Sequence, residues 1–126
     1  MLCLTAGALS AALAVQSFTL SWIHSIEKIQ WQEDWRVESH QLVISEARIR
    51  GTGAGMEPPE NAVLKNGVWH YRPAQTHHQT VRLTHSPYAR GYEFCATING
   101  EFRCQLLADL LPGIDNNVVI ELRSCE

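Results

Sequence analysis

Cys95 and Cys104 enclose eight residues centred on Asn99-Gly100, and that spacing restricts this part of the chain to one local geometry. Asn-Gly is the preferred centre of a two-residue type I′ turn, because both residues tolerate positive φ. With that turn as the loop, Ile98 faces Glu101, Thr97 faces Phe102, and Cys95 falls opposite Cys104. Counting outward makes the cysteines a non-hydrogen-bonded pair, the antiparallel position at which side chains approach most closely. The spacing therefore predicts a hairpin closed by a Cys95–Cys104 disulfide.

Cys3 and Cys125 lie near the two chain ends. Four cysteines allow three connectivities, and sequence alone does not choose among them. The hairpin favours Cys95–Cys104, which leaves Cys3–Cys125 to join the terminal strands. A zinc site would need ligands paired at close spacing such as C-x2-C, and the chain has none. Disulfides place the protein in an oxidising, extracytoplasmic compartment: the periplasm or the outer face of the cytoplasmic membrane.

The rest of the chain reads as short strands. Phe18, Leu20 and Trp22 alternate with Thr19 and Ser21 over residues 18–26, the pattern of a half-buried strand. Gln30–Glu38 and Gln41–Ile49 follow, the latter with Leu42, Ile44 and Ala47 inward; a helix over 38–50 is the weaker alternative, because Val43 and Ile44 are β-branched. Further strands are expected at 62–64 and 68–71 around Asn66-Gly67, then at 80–85, 92–98, 102–106 and 118–122, with one helical turn at 107–111. The expectation is an all-β, mostly antiparallel single domain over residues 1–126. Its architecture is a small sandwich or barrel with at most one short helix.

Residues 1–16 admit three readings. The stretch carries no charge and resembles a leader, but no basic residue precedes Lys28. Thr5, Ser10, Gln16 and Ser17 interrupt the apolar run that a membrane anchor needs. A terminal strand is favoured over a leader remnant, and both over a span. Net charge is −3 with Lys and Arg scattered singly, so neither nucleic acid nor an anionic membrane surface is an expected partner.

The run Phe18 to Lys28, FTLSWIHSIEK, followed by Trp31, Glu33 and Asp34, resembles the bacterial domain of unknown function 1850. So do Gly53-Ala54-Gly55-Met56, Trp69-His70-Tyr71-Arg72-Pro73 and Ser86-Pro87-Tyr88. The resemblance covers nearly the whole chain. It implies no assigned activity. It implies a small extracytoplasmic protein associated with membrane subunits of tripartite transporters whose solute receptors are of the TAXI type.

Candidate chemistry is sparse. His24 and Ser25 are adjacent, so on an extended strand they point to opposite faces and make no nucleophile–base dyad. A better cluster sets Glu33 or Asp34 opposite His24 across a hairpin, where a carboxylate would hold or orient the imidazole. Register decides this, and a slip of one residue moves the acid to the other face. Gly51, Gly53, Gly55 and Met56 lack the following helix and the Lys-Ser pair of a phosphate loop. They read as an irregular docking loop. His70, His77, His78 and His85 fit no metal motif, and His77-His78 reads as a solvated loop. Trp22, Trp31, Trp35 and Trp69 are expected in the core and at its rim. No cofactor, metal or catalytic set is expected. The leading expectation is a noncatalytic accessory or binding module on a transporter. The alternative is a small-ligand or metal binder centred on His24 with Glu33 or Asp34.

Overall fold

A computed structural model of the chain describes residues 1–23, 29–50, 60–85, 91–115 and 117–125. Its strands are β1 (Leu2–Ala6), β2 (Leu9–Leu13), β3 (Ser17–Ile23), β4 (Gln30–Glu38), β5 (Gln41–Arg50) and β6 (Val63–Lys65). They continue as β7 (Val68–Tyr71), β8 (His77–His78), β9 (Val81–His85), β10 (Glu93–Ile98), β11 (Glu101–Leu106) and β12 (Val118–Ser124). One 3-10 turn, Leu107–Leu110, follows β11, where a helical turn was expected. The strands pair antiparallel in two sheets. The smaller is ordered β2-β1-β12-β9; the larger runs β11-β10-β3-β4-β5-β7-β6, with β8 paired to β5 beside that path. Among the described strands neither sheet closes on itself, so the sandwich alternative holds and the barrel does not.

Local turn chemistry fixes the hairpins. Asn99 and Gly100 have φ of 54° and 79°, as a type I′ turn requires. Cys95 pairs with Cys104 in register and the two form a disulfide; Cys3 and Cys125 form the second. Asn66 and Gly67, at 52° and 78°, repeat the same turn between β6 and β7. Residues 2–13 form the β1–β2 hairpin. Leu4 lies between Ala11 on one side and Leu122 on the other. Leu2, Leu4, Ile120 and Leu122 are at most 1% exposed, so this pair of strands supplies one wall of the core.

The opposite wall is Phe18, Leu20, Trp35, Leu42, Ile44, Ala47 and Phe94. Phe18 stacks on Phe94 at 5.3 Å and on Trp35 at 6.3 Å, which joins β3, β4 and β10 across the sheet. On β5 the inward set changes parity, from Leu42 and Ile44 to Ala47 and Ile49. A bulge explains it: Asp34 pairs with Glu46 while Trp35 pairs with Ile44, leaving Ser45 as the extra residue. The Ser45 hydroxyl donates to the Asp34 carbonyl at 3.2 Å.

One expectation fails here. His77-His78 is not a solvated loop. It is a short strand paired with Leu42 and Val43, and the half-buried His78 ring meets Trp35 edge-on at 5.4 Å. Val43, which pairs with His77, is itself fully buried.

Candidate functional site

Adjacent residues on a strand face opposite ways, so Glu33 and Asp34 of β4 cannot belong to one site. The β3–β4 register pairs Glu33 with Leu20 and Asp34 with Thr19. The expected His24–carboxylate juxtaposition involves a residue outside the described ones; the register seen for the acids themselves is with Leu20 and Thr19. Trp22 faces Trp31 in it and the two indoles stack at 6.2 Å, a packing gain that a shifted register would lose. His24 and Ser25 lie outside the described residues, as do Gly51, Gly53, Gly55 and Met56.

Asp34 belongs to a polar ladder on the outer face of the larger sheet. Arg48 of β5 reaches it with two nitrogens, at 2.6 and 2.7 Å, and Thr19 of β3 donates to the same carboxylate at 2.8 Å. The Arg48 fork also donates to Glu46 at 3.1 Å and to Gln32 at 3.2 Å. Glu46 in turn meets His70 Nδ1 of β7 at 2.6 Å. The Arg48 hydrogen bonds hold the Asp34 carboxyl below its ordinary range, against a smaller upward push from burial. The Arg48 guanidinium is raised in return. Each group here has its partners, so the ladder ties four strands together and has little capacity left for a ligand.

Glu33 stands on the opposite, core-facing side. Its strand neighbours there are Trp31 and Trp35, and its cross-strand neighbours Leu20 and Ala47 are both buried. Among the described residues one hydrogen-bond donor reaches it, Trp35 Nε1 at 3.3 Å from Oε1. Burial pushes the Glu33 carboxyl above its ordinary range; the Trp35 N–H and nearby His78 pull it only partly back. Tyr71 and Tyr92 are raised as well, first by burial and then by the Glu33 charge, so both phenols lie within its field.

A cavity of about 380 Å³ opens beside this carboxylate. Glu33, Trp35, Ile44 and His78 line it from the larger sheet, with Val81 and Arg82 of β9 and the 73–80 segment completing the wall. Chemically it offers an under-compensated carboxylate, an imidazole and apolar walls. Another grouping of metal-capable side chains, Glu93 with Cys95 and Cys104, is spent: its two sulfurs are bonded to each other.

Sequence reading thus found both acids but not their separate settings. It missed Arg48, and it gave His78 and Tyr71 no role beside Glu33. One signal was present: Trp31, Glu33, Trp35 and Val37 share a face by period-two alternation, which places a carboxylate on an apolar side. The Arg48 contacts depend on the bulge at Ser45, which local pattern does not announce.

Known proteins place the chain as follows. No curated protein and no solved structure matches it. The sequence profile of a domain of unknown function (DUF1850) matches residues 18–102, from within β3 to within β11. That span holds both acids, the outer ladder, the Glu33 cavity and the Cys95 half of the hairpin disulfide, and the chain belongs to the DUF1850 family.

Proposed function

We propose that the protein is a noncatalytic accessory and binding module that acts outside the cytoplasm beside a tripartite, TAXI-type membrane transporter. The observation that supports docking is the free edge of the larger sheet. Strand β11 carries Phe102, 69% exposed, and Leu106, 48% exposed, and among the described strands it has no neighbour on its outer side. Open edges present unpaired N–H and C=O groups, and large apolar side chains beside them fit strand addition by a partner. The disulfide to β10 holds that edge in place. The two disulfides support a site of action in an oxidising compartment, and family membership supports the link to transporter subunits.

The polar groups of the outer face are paired with one another, which favours a binding module over an enzyme. The test is crosslinking in the native host, then purification of the tagged protein from membranes. A transporter subunit is expected with the wild type and is depleted with Phe102→Asp, whose circular dichroism should be unchanged. Recovery of no transporter subunit, under crosslinking that captures another known membrane complex, overturns the reading.

A further inference from the structure

Among the described residues, Glu33 is a carboxylate set on the core-facing side of its sheet with a single hydrogen-bond donor. It sits between buried Leu20 and Ala47 on the core side of β4, a position that alternation reserves for apolar residues. Arg48 is taken up by Asp34 and Glu46 on the opposite face, and Arg82, which lines the same cavity, is paired with Glu121 instead of Glu33. Trp35 supplies one donor at 3.3 Å, longer than a charge-assisted hydrogen bond. A half-buried carboxylate with so little compensation is costly, and part of that cost is recovered when a cation meets it. The cavity of about 380 Å³ gives a cation access, and its size is at the small end of ligand sites.

We propose that this inter-sheet cavity binds a small organic cation, an ammonium or guanidinium group on an apolar body, with Glu33 as its counter-ion. Thr80 and Gln75 on the cavity wall offer acceptor oxygens for further N–H groups, and Trp35, Ile44 and Val81 receive the apolar body. A divalent metal fits less well. The lining offers one carboxylate and one imidazole, whereas a closed metal site takes four ligands or more. The site stands apart from the docking edge, since β10 and β3 separate β11 from β4, so either proposal survives failure of the other.

The test titrates purified, disulfide-intact protein with n-butylammonium chloride and with guanidinium chloride below denaturing concentrations. Sodium chloride at matched ionic strength and zinc chloride serve as comparisons, with tryptophan fluorescence and thermal unfolding as readouts. Saturable binding of n-butylammonium, a changed Trp emission and a Tm rise of several degrees near saturation are expected. Glu33→Gln should abolish the binding while unfolding at a higher temperature than unliganded wild type. Glu33→Asp, which keeps the charge, should bind at least tenfold more weakly, and it keeps the test readable if the Gln variant does not fold. An equal response in wild type and Glu33→Gln, no response to either organic cation, or saturation by zinc alone overturns the proposal.

Discussion

Two neighbouring carboxylates have opposite energetics in this protein. Burial raises Glu33 above 4.5, its ordinary value, so the native state holds its proton more tightly than the unfolded chain does. The sign follows from linkage: stability falls as pH rises from about 4.5 through the native pKa, and the loss persists at neutral pH. The groups facing Glu33 are His78, Tyr71 and Tyr92. Glu33→Gln removes the half-buried charge, so it should stabilise the unliganded protein at pH 7 by up to about 1 kcal/mol. Denaturant unfolding at pH 5 and pH 7 checks this, and the gain should be larger at pH 7. Asp34 behaves in the other direction. Its carboxyl is lowered from 3.8 by Arg48, so its contribution is full above that value and is lost as pH falls through the native pKa. The pair is partly open to water, 17% and 32% exposed, which screens it. Arg48→Met should therefore cost about 1–2 kcal/mol at pH 7, with the difference from wild type shrinking below pH 3.

At the scale of elements, what could be read from sequence was whatever is decided locally. The Asn99-Gly100 and Asn66-Gly67 turns set their own hairpins, so the pairing of Cys95 with Cys104 followed from counting. Gly100 needs positive φ, 79°, at a place where an added Cβ would meet no atom within 4 Å. The penalty for Gly100→Ala is then conformational rather than steric, about 1 kcal/mol. Guanidinium unfolding of the oxidised protein would measure it. The candidate site was harder to read because it rests on longer-range choices. Register set Glu33 beside Leu20, a bulge at Ser45 carried Arg48 to Asp34, and β8 brought His78 onto Trp35. Each joins residues more than ten positions apart, where one-residue shifts reverse the faces. The exposed edge is a further element-level feature. Phe102 is 69% exposed, so Phe102→Ser should change stability by less than about 0.5 kcal/mol. A larger loss in thermal unfolding would place Phe102 in the core energetics instead of at a contact surface.

For the whole molecule, the two disulfides work at different reach. Cys95–Cys104 spans a sequence separation of 9, whereas Cys3–Cys125 spans 122 and joins β1 to the end of the chain. In the chain-entropy view the long closure contributes about 4–5 kcal/mol and the short one about 2–3 kcal/mol. Replacing Cys3 and Cys125 together by Ala should thus lower stability more than replacing Cys95 and Cys104 together, with chemical denaturation as the measure. Leu2 and Leu4 flank Cys3 and are fully buried, so loosening the terminal strand also opens one wall of the shared core. The same bonds carry the claim on which docking beside a membrane transporter depends, that this sandwich works outside the cytoplasm. Thiol trapping in intact native cells, followed by fractionation and mass spectrometry of the cysteine peptides, tests that claim most directly. The account predicts protein in the extracytoplasmic fraction with all four cysteines shielded from alkylation until reductant is added. Protein recovered from the cytosol with its cysteines alkylated at once would contradict it.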